Sequence, residues 1–149
     1  MTTNTSAFTR DANRVPITTL GLTATKAITY ATATTGAIGA TTLFIVTGDV
    51  ALNVFGICKT SLTGASATIE FGTATSTAAL GNQVTGTNVD VHMVYHDAVL
   101  AVGGAVAGHM HVVDEDIIQT IGTAAVETGA ITWYCTWVPL SADGNVVAA

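Results

Sequence analysis

Apolar residues recur at every second position in several short stretches of this chain, and no stretch repeats them with the period of a helix. The clearest case is residues 130–140, in which Ile131, Trp133, Cys135 and Trp137 fall on one side of an extended strand. Gly, Asn and Asp separate such stretches, as they do between strands. The pattern therefore predicts an all-β fold whose sheets each bury one face.

The alternating stretches are separated by turn residues, which favours a single antiparallel β-sandwich or a jelly-roll-like barrel. Residues 1–16 are polar, lack periodicity and end at Pro16, so we predict an extended N-terminal arm there and a β-sandwich domain over residues 17–149. Low-complexity stretches at residues 31–42, 73–79 and 98–108 predict surface loops or flat contact surfaces. Strands are predicted over residues 25–32, 41–47, 50–60, 68–72, 89–96, 109–120, 124–127 and 130–140.

Charged residues make up only 9% of the chain, whereas soluble domains average about 25%. Its polarity comes mainly from Thr, Ser, Asn and Gly, so we expect a surface partly covered by other subunits, with residues 98–108 as one contact. The net charge is −6 and basic residues are few, which argues against nucleic-acid binding. No apolar run reaches the length of about 18 to 20 residues that a membrane-spanning helix needs, so no membrane association is expected.

The four histidines are the residues with the clearest capacity for chemistry. His109 and His111 share one side of an extended segment, and His92 and His96 share a side with Asp90. A metal site needs three or four converging ligands, and nothing in the sequence makes these segments neighbours. Ordinary surface or interface histidines are the favoured interpretation, with a pH-sensitive contact as another possibility. No metal ligand or cofactor is predicted.

No catalytic residue can be assigned from the sequence. The acidic run from Asp114 to Asp116 lacks the alternating ligand order of a calcium loop and predicts a solvated turn. The chain has no nucleophile elbow, phosphate-binding loop or Cys-x-x-Cys motif, and no pair of carboxylates is singled out for hydrolysis. We therefore expect that the protein is not an enzyme.

The cysteines and tryptophans lie in apolar, strand-like stretches. Cys58 and Cys135 are predicted to be buried free thiols, with a mutual disulfide formed late as the alternative. Trp133 and Trp137 share a face two positions apart, and we predict that they belong to the core. An intersubunit anchor and a carbohydrate-stacking platform are the alternative roles for this pair.

Several segments resemble small virion proteins of tailed bacteriophages. They are residues 41–50, 54–60 and 66–73, and the most specific part is the ending from Tyr134 to Val147. Asp97, which follows His96 in a Tyr-His-Asp triplet, also fits the pattern. The resemblance covers roughly residues 36–147 and leaves the arm aside.

The resemblance implies a virion structural protein, and within that group it favours a capsid decoration (cement) protein. Such a protein binds the outside of the capsid and bridges neighbouring capsid subunits, often as a trimer. The expected partners are other copies of the chain, in a homotrimer, and the major capsid protein. We expect it on the capsid surface of the virion after synthesis in the host cytoplasm. The alternatives are a phage tail or fibre component and a carbohydrate-binding β-sandwich module.

Overall fold

The structure is a computed structural model that describes residues 22–97, 99–102 and 110–149, with the backbone alone described at 99–102. The predicted arm at residues 1–16 and His109 lie outside the described residues, as do residue 98 and residues 103–108 of the predicted contact. No helix among the described residues has the length and apolar character to cross a membrane.

The described residues form eleven strands and one short 3-10 helix at Gly86–Asn88. The strands are β1 (Leu22–Thr29), β2 (Gly39–Thr47), β3 (Val50–Thr63), β4 (Thr68–Thr73), β5 (Gly81–Thr85), β6 (Met93–His96), β7 (Val99–Val102), β8 (His111–Val113), β9 (Ile117–Gly122), β10 (Thr128–Pro139) and β11 (Asn145–Ala148).

Two antiparallel sheets stack against each other. The six-stranded sheet has the order β1-β10-β3-β6-β7, and β8 pairs with the first residues of β3 on the side that β6 occupies further along. The five-stranded sheet has the order β11-β2-β9-β4-β5. Apolar side chains from both sheets form one core between them. The predicted all-β sandwich is confirmed.

An aromatic cluster joins the two sheets at the centre of this core. The ring of Phe71, from the five-stranded sheet, lies with its centroid 4.9 Å from Trp133 and 5.0 Å from Tyr95. Both partners belong to the six-stranded sheet, and their rings meet Phe71 edge-on or tilted, as the aromatic quadrupole favours. The Tyr95 hydroxyl donates a hydrogen bond of 3.0 Å to the carbonyl oxygen of Ile69.

Gly56 makes this cluster possible because it lies between its two larger members. In the strand register Gly56 is opposite Trp133 on one side and opposite Tyr95 on the other. A Cβ atom at Gly56 would come within 3.1 Å of the Trp133 ring and 2.8 Å of Ile131 Cγ2. The missing side chain leaves the two aromatic rings room to lie 5.9 Å apart and to share Phe71.

The predictions for the long strands are confirmed. Val50, Leu52 and Val54 are buried on one side of β3, as their spacing predicts. Along β10 the alternation is also as predicted, with the odd-numbered positions of residues 131–137 buried. Long, strictly alternating segments are the ones that a buried sheet face specifies most strongly.

Two predicted strands are wrong in part and a third is absent. The strand over residues 89–96 reduces to Met93–His96, because a 3-10 turn precedes it and His92 takes a φ of +69° that an extended strand does not allow. The strand over 109–120 is divided by a turn at residues 114–116. Residues 124–127 form no strand, since Thr123 has a φ of +63° and Val126 donates its N–H to Gly36 in a loop.

Cys58 and Cys135 are both buried and free, which confirms the prediction of buried free thiols. Cys58 lies opposite Ile131 and Cys135 lies opposite Val54, so the two thiols are four positions apart along β3. That is about 14 Å at a rise of about 3.4 Å per residue. Because a disulfide needs Cα atoms less than about 7 Å apart, the alternative of a mutual disulfide is wrong for this fold.

We predict that both thiols react slowly in the native protein and rapidly after denaturation. Burial raises the pKa of Cys135 to about 12 and also raises the pKa of Cys58, so the reactive thiolate is scarce. Labelling with a thiol reagent with and without denaturant measures this. A Thr87→Cys variant, exposed in the 3-10 turn, is the positive control. Rapid native labelling of both natural cysteines would contradict the packing described above.

We predict that Trp133→Ala destabilises the protein by about 3–5 kcal/mol, because it removes the fully buried ring that connects both sheets. Thr85→Ala, at an exposed position of edge strand β5, should cost less than about 1 kcal/mol. Urea unfolding at one fixed protein concentration measures both values. Equal effects of the two substitutions would show that the aromatic cluster does not dominate the core.

Candidate functional site

The outer side of the six-stranded sheet carries no charged side chain across β1, β10 and residues 51–57 of β3. Side chains alternate along each strand, so the residues between those that fill the core form this outer side. We call this surface the uncharged face. It is formed by Thr23, Thr25, Ala27, Ala51, Asn53, Phe55, Ile57, Val94, Val112, Thr132, Tyr134, Thr136 and Val138.

The strand register arranges the uncharged face in rows. Tyr134 lies between Thr25 and Phe55, and the rings of Phe55 and Tyr134 stack with centroids 5.3 Å apart and an interplanar angle of 14°. In another row, Ala51 lies between Val138 and Val112. Stacked rings flanked by threonine give the face an apolar centre with hydroxyl groups beside it.

Much of the uncharged face is accessible. Val112 is 69% exposed and Val138 is 38% exposed, and Thr23 and Thr25 are exposed as well. The side chain of Phe55 is half-buried. Contiguous apolar surface of this kind on a folded domain is typical of sites that contact other macromolecules.

A polar contact borders the uncharged face. The His96 imidazole Nε2 lies 2.9 Å from the side-chain oxygen of Asn53, which is only 8% exposed. Since the amide oxygen is an acceptor, Nε2 donates in this arrangement. The contact links β6 to β3 next to the stacked rings and fixes the position of His96.

One end of the sandwich is acidic. Three turns meet there because the end of β10 and the end of β8 both pair with the start of β3. Asp49 lies in the turn between β2 and β3, and Asp143 lies in the turn between β10 and β11. The turn between β8 and β9 supplies residues 114–116. No lysine or arginine among the described residues lies on these three turns.

The carboxylates at this acidic end hold the loops in place. Asp116 Oδ1 accepts a hydrogen bond of 2.9 Å from the backbone N–H of Val46. Glu115 accepts from the Thr75 hydroxyl at 2.7 Å and from the Thr75 N–H at 3.1 Å, and these bonds lower the pKa of Glu115. A hydrogen bond from the Ser141 hydroxyl lowers the pKa of Asp143 in the same way. The predicted turn at residues 114–116 is therefore present, and two of its carboxylates anchor it.

A cleft of about 280 Å³ opens beside this turn, between β8 and the loop that joins β4 to β5. Its polar lining includes the carboxylates of Asp114 and Glu115, the hydroxyl of Thr75 and the imidazole of His111, and Leu80 contributes apolar surface. Glu115 is already hydrogen-bonded to the wall of the cleft. Its carboxylate therefore holds the loop from Thr73 to Leu80 against β8.

The histidines do not meet in the part of the chain that the structure describes. His92 is exposed in a turn, His96 contacts Asn53, and His111 is exposed at the start of β8. Within residues 22–97 and 110–149, no group of three or more His, Cys, Asp or Glu side chains is arranged to hold a metal ion. The predicted shared side of Asp90, His92 and His96 is wrong, because only His96 lies within β6.

The tryptophans are core residues, as predicted. Trp133 is fully buried and Trp137 is 6% exposed, so the alternative of a carbohydrate-stacking platform built on this pair is wrong. The aromatic residues that do reach the outer surface are Phe55 and Tyr134. The alternation of residues 130–140 puts Tyr134 on the side opposite Trp133, but it does not pair Tyr134 with Phe55. That pairing depends on the register between β3 and β10.

Comparison of the chain with protein-family models, with curated proteins and with solved structures finds no match.

We predict that Thr75→Ala raises the pKa of Glu115 toward its ordinary value, because the variant loses the hydroxyl that donates to the carboxylate. Since the folded-state pKa is lowered, this contact stabilises the fold above the unfolded-state pKa, and the benefit is lost as pH falls through the folded-state pKa. Carboxyl NMR titration measures the midpoint. Thr77→Ala, whose hydroxyl contacts Glu70 instead, is the matched control. An unchanged Glu115 midpoint in Thr75→Ala would contradict the assignment.

Proposed function

We propose that this chain is a capsid decoration (cement) protein of a tailed bacteriophage, with a structural and non-enzymatic role. The observation that supports it best is the uncharged face, which has the composition of a contact between subunits. Interface centres are depleted in charged residues and enriched in aromatic ones, and the stacked pair of Phe55 and Tyr134 lies at the centre of this face.

The size of the uncharged face also fits a subunit contact. Its outline is about 20 Å wide over four strands and about 20 Å long over residues 132–138, which gives roughly 400 Å². Apolar patches of about 300–600 Å² are the largest that typical monomers expose, and they are often functional. A flat surface of this size can pack against a neighbouring subunit without a deep pocket.

The resemblance of the sequence to small virion proteins directs the proposal to a phage particle. In that setting the partners are the major capsid protein and further copies of the chain, arranged as a homotrimer on the outside of the capsid. The segment at residues 1–16, which contains Arg10 and Arg14, is proposed to attach the chain to the capsid. Its basic residues have the opposite charge to the acidic body of the chain.

The proposal is tested with capsids that lack this chain, taken from the phage that encodes it. We expect the purified protein to sediment with the capsids up to a fixed number of copies and to raise the temperature at which they open. Removing residues 1–16 should weaken attachment and leave the circular dichroism of the β core unchanged. Ile45→Glu, on the outer side of the five-stranded sheet, is the matched surface control and should bind as the unmodified chain does.

Absence of co-sedimentation at micromolar concentrations would overturn the decoration role. Labelling of the tail alone in intact particles would support the tail or fibre alternative instead. Binding of glycans by the isolated chain would favour a carbohydrate-binding module. Full capsid occupancy after removal of residues 1–16 would refute the attachment role of that segment.

A further inference from the structure

The cleft beside the turn at residues 114–116 contains a carboxylate that the fold does not use. Among the described residues the side chain of Asp114 has no hydrogen-bond partner, whereas Glu115 is bonded to the wall of the cleft. Asp114 is exposed, and Ala79 and Val113 supply apolar surface to the same cleft. A side chain with an aliphatic stem and a cationic end fits this lining, because the stem can cover apolar surface while the charge meets the carboxylate. Arginine and lysine have that form.

The described part of the chain supplies no cation to the acidic end. Its two lysines lie elsewhere, since Lys26 is in the middle of β1 and Lys59 is near the far end of β3. The two other strongly basic residues of the sequence are Arg10 and Arg14, both in the arm predicted at residues 1–16. Within this chain, the arginines of the arm are therefore the cations available to the carboxylates of the acidic end.

The chain that carries these arginines joins the sandwich near the acidic end. β1 begins at Leu22, which lies opposite Trp137 of β10. Leu52 of β3 and His111 of β8 continue the same row, and His111 lines the cleft. Three strand spacings of about 4.8 Å place Leu22 about 14 Å from His111. Seven residues separate Arg14 from Leu22, and eight extended steps of about 3.5 Å span about 28 Å, so the arm is long enough to reach the cleft.

Covalent attachment through β1 favours the arm over a separate basic partner. A group on a short tether has an effective concentration in the millimolar range, so a contact with a dissociation constant of about 1 mM is already half-occupied. The arm also places apolar side chains beside its arginines, with Phe8 two positions before Arg10 and Val15 directly after Arg14. Asp11 is its only acidic residue, so two arginines and one aspartate leave residues 1–16 with a net charge of +1.

We propose that the arm binds this cleft on its own chain, with an arginine guanidinium at the carboxylate of Asp114. The aliphatic part of the arginine covers the apolar surface of Ala79 and Val113. The inference goes beyond the decoration role, because it describes the isolated chain before a capsid is present. An arm that occupies the cleft has to leave it before it can attach the chain to a capsid, so the two contacts compete.

The test is paramagnetic relaxation enhancement in NMR spectra of the full chain, with a nitroxide spin label attached to a Thr9→Cys variant. The reagent selects the introduced thiol because Cys58 and Cys135 are buried. We expect the amide signals of residues 75–79 and 111–115 to broaden and those at the far end of β3 to stay sharp. Raising the salt to about 1 M should reduce the broadening, since the Debye length then falls to about 3 Å.

Charge variants of the labelled chain identify the groups that bind the arm. Asp114→Asn removes the carboxylate in the cleft, and Arg10→Gln combined with Arg14→Gln removes both guanidinium groups. Each change should reduce the broadening at the cleft at least about twofold, because loss of an exposed ion pair changes an equilibrium by a factor of a few. Asp90→Asn is the matched control, since Asp90 is exposed near the other end of β3, and it should leave the broadening unchanged. Circular dichroism verifies that each variant is folded.

Three results would overturn the inference. They are sharp signals around the cleft in the labelled chain, equal broadening at both ends of the sandwich, and broadening that persists when both arginines are replaced. A mixture of spin-labelled chain with isotope-labelled chain that has no spin label tests for contact between copies. We expect no broadening in that mixture, and broadening there would replace the contact within one chain by a contact between copies.

The inference and the proposed function fail in different ways. A chain that sediments with capsids but shows no broadening at the cleft would overturn the contact of the arm with its own chain and leave the decoration role in place. A chain whose arm occupies the cleft but that does not bind capsids would overturn the decoration role and leave the contact in place.

Discussion

The contact between Phe71 and Trp133 is the interaction on which both sheets depend. It is the point where the five-stranded sheet meets the long β3–β10 pair, and Gly56 leaves the space that the tryptophan ring needs. Once Trp133 faces the core, alternation along β10 requires Tyr134 to face outward. The uncharged face is therefore a consequence of how the core is packed. A change of one residue in the register of β10 would exchange the two surfaces.

The core also contains a polar contact that sequence patterns do not reveal. The hydroxyl of Tyr30 donates a hydrogen bond of 2.8 Å to the side-chain oxygen of Gln119, and both residues are buried. Burial raises the pKa of Tyr30, so the phenol remains a donor throughout the physiological range. A glutamine in a buried strand position interrupts the apolar pattern of β9. Its hydrogen bond to Tyr30 lowers the desolvation cost of placing it there and favours one alignment of the two sheets.

The sequence predicted the fold class and the longest strands because alternation over ten or more residues requires one buried face. It failed at residues 89–96, where the residue types alternate but a positive φ at His92 breaks the strand. It also could not identify the uncharged face. Phe55 and Tyr134 are far apart in the chain and become neighbours only through the pairing of β3 with β10. Register between distant strands is a tertiary property, which local periodicity does not encode.

The position of β10 between β1 and β3 determines when this protein can fold during synthesis. The first and third strands do not pair with each other. Among the described strands β1 pairs with β10 alone, so β1 must wait for residues 128–139 to leave the ribosome, and β3 gains its longest partner only then. Contacts between such distant segments make folding slow, because the chain must close long loops before they form. The surface that pairs Phe55 with Tyr134 does not exist until these residues have emerged. A molecule that recognises the stacked rings cannot bind a shorter nascent chain.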